Sequence, residues 1–124
     1  MFTLALRKKF IAHHHTALQP DAEHPMRSHL YLLEVMLETE ELDSQGMVLD
    51  LEALEAELDD ILSQYRYKNL NETEAFDNKI PTIEAFARVL GDAIDESLYA
   101  PNLTAISVRL WRDEDVWALY DIEK

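Results

Sequence analysis

The spacing of apolar residues changes period twice along this chain, and these changes constrain the fold more than any other feature of the sequence. Apolar and polar residues alternate over two early runs, apolar residues recur at three- and four-residue steps over two middle runs, and alternation returns over two late runs. Alternation is typical of half-buried strands, and the longer steps are typical of amphipathic helices. The predicted order is strand, strand, helix, helix, strand and strand, at 3–15, 31–38, 51–65, 82–98, 106–111 and 116–120.

This order predicts an α+β fold in which two helices cover one face of a four-stranded antiparallel sheet. With 124 residues and a hydrophobic content of 48%, the chain is long enough for one buried core and too short for a second domain. A single domain over residues 1–124 is therefore expected. The segment between the helices, residues 66–80, has no sustained period and is predicted to be a loop with turns.

The charge balance and the absence of cysteine narrow the classes of partner and chemistry. Eleven basic and twenty-five acidic residues give a net charge of −14, which argues against nucleic acid or an anionic membrane surface as partner. Without cysteine there is no disulfide framework and no thiol for catalysis or metal binding. No apolar run approaches the ~20 residues of a membrane span, and no signal peptide is recognisable. A cytoplasmic protein is expected.

All five histidines lie between His13 and His29, so any metal site built on imidazole starts in this stretch. Two motifs flank it, Phe10-Ile11-Ala12-His13-His14 and Arg27-Ser28-His29-Leu30-Tyr31. They resemble the two zinc motifs of the 6-pyruvoyl- and 6-carboxytetrahydropterin synthase family. Further pieces match in the family's order, from Phe10 to Tyr120, and that order is more specific than any single piece. These pieces are Gly46–Asp50, Leu70-Asn71, Pro81–Glu84 with Ala87, and Val108–Trp111.

The resemblance implies a tunnelling fold, in which subunits join their sheets into a trimeric barrel and barrels stack as hexamers. It also implies a zinc-dependent lyase that acts on a reduced pterin. A homo-oligomer, trimer or hexamer, with a pterin-like small-molecule ligand is therefore expected. Closing the barrel would cover the sheet edges that a four-stranded monomer leaves open.

The family's zinc is held by three histidines, and the resemblance places two of them at His14 and His29. The third position is occupied by Arg27, which cannot ligate zinc under ordinary conditions. His13 and His15 point away from His14 on an alternating strand, so His24, or Glu23, is the more plausible third ligand. The alternative is a site without metal, in which Arg27 fills the space and the charge of the ion.

The resemblance also shows which working residues have been replaced. The family's cysteine base falls near Glu23, its Asp-His pair falls on Arg66 and Tyr67, and its pterin-anchoring glutamate falls on Arg112. Glu23 and Tyr67 are thus candidate catalytic residues, and packing is the alternative role of Tyr67. Arg66 and Arg112 are candidate ligand-binding residues.

Thr82 and Glu84 match positions near the family's pterin pocket, and both are candidate ligand-binding residues. Their alternative role is to start the second helix, because threonine caps helices and glutamate favours the first turn. Two functions follow from all these residues. The first is a divergent synthase homologue, a zinc-binding lyase whose standard activity is lost or altered. The alternative is a non-catalytic, oligomeric tunnelling-fold protein that binds a ligand.

Overall fold

Six main elements follow one another in the predicted order in the computed structural model, which describes residues 1–17 and 21–124. Residues 18–20, between the first two strands in sequence, lie outside the described residues. Two short 3₁₀ turns, Leu70–Glu72 and Glu74–Phe76, lie in the predicted loop between the helices. The elements are β1 (Phe2–His14), β2 (Arg27–Thr39), α1 (Leu51–Ser63), α2 (Ile83–Ser97), β3 (Leu103–Trp111) and β4 (Trp117–Glu123).

The four strands form one antiparallel sheet in the order β1-β2-β3-β4, which confirms the predicted α+β class. β1 and β2 pair along their whole length, from Phe2 opposite Thr39 to His14 opposite Arg27. The pairing of β2 with β3 begins only where Leu32 lies opposite Trp111. Residues 27–31 of β2 therefore project beyond β3, and they form a two-stranded end of the sheet with β1.

β2 begins at Arg27, four residues before the predicted start at Tyr31. The first residues of this strand are mostly polar and exposed, so they carry no apolar alternation that sequence reasoning could detect. Backbone pairing with β1 extends the strand regardless of side-chain character. The metal-motif residues Arg27 and His29 therefore lie within a strand.

One face of the sheet packs against α1 and α2, and the core lies between them. Phe86 of α2 occupies its centre, with its ring centroid 5.4 to 5.8 Å from four other aromatic rings: Phe10, Tyr31, Tyr65 and Phe76. α2 approaches the sheet closely because Gly91 has no side chain, and a Cβ there would lie 2.6 Å from Cδ2 of Tyr120. Burying an aromatic side chain of this size stabilises a fold by roughly 1.5–3 kcal/mol.

Both helices begin with a side-chain cap. Asp50 accepts a hydrogen bond from the backbone N–H of Glu52 at 3.1 Å, and Thr82 accepts one from Ala85 at 3.1 Å. Such caps each contribute about 1 kcal/mol. Among the described residues no helix is both long and apolar enough to cross a membrane. The cytoplasmic location stays a prediction.

Candidate ligand site at the end of the β1–β2 pair

His14 and His29 meet on the helix-covered face of the sheet, at its two-stranded end. Their ring centroids are 5.0 Å apart. The register explains this contact: His29 lies opposite Ala12, so His14 is its diagonal neighbour on the same face. Tyr31 lies beside both rings, with its hydroxyl 3.4 Å from Nδ1 of His14 and its ring centroid 5.7 Å from that of His29. The site is therefore built from side chains of two neighbouring strands, β1 and β2.

Arg27, which stands at the position expected for a third zinc ligand, lies directly opposite His14 in the register of β1 and β2. The other candidates are engaged in their own loop. Nδ1 of His24 lies 3.0 Å from Oδ1 of Asp21, and that same oxygen accepts the backbone N–H of Glu23 at 2.9 Å. In the described ranges 1–17 and 21–124, no group of three His, Cys, Asp or Glu side chains could hold a metal ion.

The two remaining histidines have other partners. Nδ1 of His13 lies 2.6 Å from Oγ of Ser28, on the face that the helices leave open. His15 is buried beyond the end of β1, where its Nδ1 lies 2.7 Å from the carbonyl oxygen of Ala17. Asn71 accepts the backbone N–H of His15 at 2.9 Å and donates to the carbonyl oxygens of His15 and Ala17. Asn71, part of the Leu70-Asn71 motif, thus anchors the chain where it leaves β1.

The electrostatic surroundings keep both site histidines neutral at pH 7. Burial, followed by the neighbouring His29 and Arg112, lowers the pKa of His14 to about 4. Burial and Arg112 also lower the pKa of His29, and Asp113 partly opposes this. Burial raises the pKa of Tyr31 to about 12, so its hydroxyl stays protonated. Neutral imidazoles can accept a metal or a proton.

A groove of about 750 Å³, called the histidine groove below, opens beside His29, between the projecting end of β2 and the turn that follows β3. Its polar lining includes His29, Tyr31 and Arg112, and its apolar wall includes Trp111. Arg112 reaches this groove because β3 ends opposite Leu32, which places the next residue beside Tyr31. Sequence reasoning singled out Arg112 by its position in the family pattern and missed the apolar wall, which exists only where separate strands meet.

Arg66 and Tyr67 lie elsewhere on the chain. Tyr67 is 68% exposed, and together with Tyr65, Lys68 and Asn69 it lines a second cavity of about 550 Å³. Its backbone is left-handed, with φ of 62°, a strained conformation for an aromatic residue, and its N–H donates to the carbonyl oxygen of Ile11 at 2.6 Å. Nη2 of Arg66 lies 4.0 Å from Oδ1 of Asp59. Within one chain, neither residue is among those that line the histidine groove.

Thr82 and Glu84 lie at the start of α2, where the Thr82 hydroxyl caps the helix and Glu84 is exposed in the first turn. Glu23 is exposed in the β1–β2 loop. The predicted site residues are therefore distributed over four places. His14, His29 and Arg112 are brought together, whereas Glu23 with His24, Arg66 with Tyr67, and Thr82 with Glu84 lie apart from them.

Comparison with known protein families decides the identity of the fold. Residues 3–123 match the family described as 6-pyruvoyl tetrahydropterin synthase. The chain belongs to this family. The match covers nearly the whole chain and confirms the resemblance that the histidine motifs carry.

Solved structures of family members have the same fold. A 6-pyruvoyl tetrahydropterin synthase from Caenorhabditis elegans is 21% identical, with a TM-score of 0.78 over 98% of this chain and 96% of that chain. A Plasmodium vivax 6-pyruvoyltetrahydropterin synthase with a substituted catalytic residue is 12% identical, with a TM-score of 0.80 over 99% and 98%. The Plasmodium falciparum protein is 10% identical with the same TM-score, 0.80. No curated protein sequence matches significantly.

Zinc, which the family resemblance implies, fits these residues only in part. Two neutral imidazoles suit zinc, but a zinc site needs at least three protein ligands to hold the ion well. At the third position the guanidinium of Arg27 offers only donors and a fixed positive charge. The residues of this chain therefore do not fit the family's three-histidine site.

Proposed function

We propose that this chain is a divergent member of the 6-pyruvoyl tetrahydropterin synthase family in which the standard lyase reaction is lost or altered. Its histidine groove holds a small, pterin-like molecule, and zinc binds there weakly at most. One observation carries this proposal: the β1–β2 register sets Arg27 against His14 where the family pattern has a metal ligand. A cation fixed at this position opposes a second cation at short range.

The residue that replaces the pterin anchor supports the same conclusion. A carboxylate at this position would accept hydrogen bonds from the donor edge of a pterin. Arg112 can only donate, and its Nε already donates to Oδ2 of Asp113 at 3.0 Å. A pterin in its usual orientation therefore loses two acceptors here. The ligand therefore either binds in a flipped orientation or has a different pattern of hydrogen-bond donors and acceptors along this edge.

The groups that would move protons are also out of place within one chain. Tyr67 lines the other cavity, and Glu23 is exposed in a loop. General acid–base groups supply roughly 10² to 10⁴ in rate, so without a base at the reacting atoms the reaction slows by that factor. Tyr67 can serve the histidine groove only from another subunit.

The sheet edges support a homo-oligomer, a trimer or a hexamer. β1 and β4 are the edge strands of a four-stranded sheet. Among the described residues the edge of β1 is covered only at its end, where the N–H of Tyr67 donates to Ile11 and the N–H of His13 donates to Lys68. Long open edges favour pairing with another chain. Light scattering at micromolar concentration should give at least a trimer, and a stably folded monomer would contradict the barrel.

The test of the proposed function uses protein purified without a histidine tag. Its zinc content is measured, and it is then incubated with a reduced pterin triphosphate while 6-pyruvoyl and 6-carboxytetrahydropterin products are followed. We expect zinc well below one ion per chain and no measurable product. Turnover at ~1 s⁻¹ or above, as typical enzymes show, would refute the proposal.

A second candidate, a non-catalytic oligomeric ligand-binding protein, is favoured by the contrast between an intact groove and displaced acid–base groups. Binding of an unreactive reduced pterin separates the two candidates. Binding without turnover, with or without added zinc, supports the binding protein. A new product from the same substrate supports altered chemistry.

A further inference from the structure

The histidine groove is a positively charged place in a strongly acidic protein. The chain has a net charge of −14. Its lining, however, includes three cations and two carboxylates: Arg7 and Lys9 on the open face of the sheet, Arg112 on the side of the histidines, and Asp113 and Glu114 in the turn after β3. Arg27 adds a fourth cation at the same end of the sheet, opposite His14.

Two of these arginines already have carboxylate partners within the chain. Nε of Arg7 donates to Glu34 at 2.7 Å, and Nε of Arg112 donates to Asp113 at 3.0 Å. A guanidinium has five N–H donors, so each of these bonds leaves the other N–H groups of the arginine available to a ligand. Over the described part of the chain, no further acceptor contacts Arg112, and none contacts the guanidinium of Arg27.

The other polar groups of the groove are suited to the same kind of ligand. His29, on the same side of the sheet as Arg112, can donate from one ring nitrogen; the Ser28 hydroxyl lies on the open face, with Nδ1 of His13 at 2.6 Å. Leu30, Leu32 and Trp111 form an apolar wall beside them. Hydrogen bonds between guanidinium and anionic oxygens are strengthened where apolar groups exclude water.

We infer that this groove binds the anionic oxygen group of a small molecule, a phosphate or a carboxylate, through Arg112 with Arg27 alongside, while the apolar wall holds the body of the ligand. The inference deepens the proposed function and rests on it, because both arginines are residues in which the chain departs from the family pattern. The same site that holds a metal cation in the family pattern would thus select an anion here.

Calorimetric titration of zinc-free, untagged protein with inorganic phosphate and, separately, with succinate tests this inference. At least one of the two should bind. Arg112→Gln should weaken that binding about tenfold or more, since a charge-assisted hydrogen bond contributes ~1.5–3 kcal/mol. Arg27→Gln should weaken it less. The titration that shows the tighter binding identifies the group.

Arg88→Gln is the matched control, because it removes the same charge from an exposed side chain on α2 whose Nε lies 3.8 Å from Asp92. Its affinity should equal that of the parent. The inference is overturned if neither anion binds, or if Arg112→Gln and Arg88→Gln behave alike. Failure of the proposed function shows separately, as zinc at one ion per chain or as synthase turnover, because both are measured without the anions.

Discussion

Two clusters of charged residues lie on opposite faces of the same sheet, and they differ in whether their positive charges are balanced by carboxylates. On the open face, Glu34 is buried and lies between Arg7, at 2.7 Å, and Arg109, at 3.7 Å. On the helix-covered face, Arg27 and Arg112 lie around two neutral histidines. The first cluster is compensated within the chain, whereas the second has more positive than negative charge.

The comparison separates a structural role from a binding role. Arg109 of the compensated cluster also lies over the ring of Trp117, with its Cζ 4.6 Å from the ring centroid. Its Nε is buried without an acceptor among the described residues, so the carboxylate of Glu34 is the group that offsets its burial. Removing one partner of such a cluster leaves the other charges unpaired and costs stability. An uncompensated cluster costs stability unless a ligand supplies the missing charge.

The largest expected effect comes from converting the uncompensated cluster into a metal site. Arg27→His should raise zinc affinity on the order of a hundredfold, because it adds a third imidazole ligand and removes a guanidinium whose positive charge repels the ion. Competition titration against a zinc chelator measures it. Unchanged affinity would mean that the Arg27 side chain is turned away from the histidines.

His29→Ala is the control for this measurement. It should abolish the weak zinc binding of the parent, because it removes one of the two imidazoles, and it should cancel the gain in the Arg27→His variant, which then keeps only two. The matched variant His13→Ala changes a histidine on the open face and should have no effect on zinc. Retained binding in His29→Ala would show that the metal ligands are misassigned.

A smaller effect is expected from breaking the compensated cluster. Glu34→Gln keeps the size of the side chain and removes its charge, so Arg7 and Arg109 lose their common partner. Since these arginines are partly exposed, with side-chain exposures of 67% and 31%, the expected loss in the free energy of unfolding is about 1–2 kcal/mol. Urea unfolding measures it. A loss equal to that of Arg88→Gln would mean that Glu34 contributes no more than a surface charge.

The pH dependence of stability should come from the histidine end. Folding lowers the pKa of His14 from 6.5 to about 4, so the unfolded chain binds more protons between these values. The free energy of unfolding should therefore be unaffected above pH 6.5 and fall as the pH drops toward 4, by about 1–2 kcal/mol after allowance for solvent screening. Urea unfolding across this range should show the fall in the parent and in His13→Gln. The free energy of unfolding of His14→Gln should fall less. A fall equal to that of the parent would mean that other titrating groups cause the pH dependence.

The smallest effect should follow from Arg27→Gln. Because no carboxylate of the described residues pairs with Arg27, its loss should change the free energy of unfolding by less than about 0.5 kcal/mol. Relief of repulsion with Arg112 would make the change slightly stabilising. A loss above 1 kcal/mol in urea unfolding would mean that Arg27 has a stabilising partner, so that the two clusters would not differ in charge balance.

Much of the fold follows from local patterns. The alternation at Phe10, Ala12 and His14 predicts which face His14 lies on, and the structure has all three buried on the helix-covered face. The apolar stripe of α2 predicts Phe86, Leu90 and Ile94 in the core, where they lie. Strand ends were harder to predict. β2 starts four residues early, because pairing with β1 replaces the missing apolar signal.

By itself, the sequence determined the order of elements, the faces of each strand and helix, and the family, because these depend on periods and motifs within single segments. Only the tertiary structure decided which charged residues meet. The register between β1 and β2 sets Arg27 against His14, and the end of β3 opposite Leu32 brings Arg112 to the histidines while Tyr67 lies at another cavity. Register and strand ends depend on pairing between distant segments, and no local period contains that information.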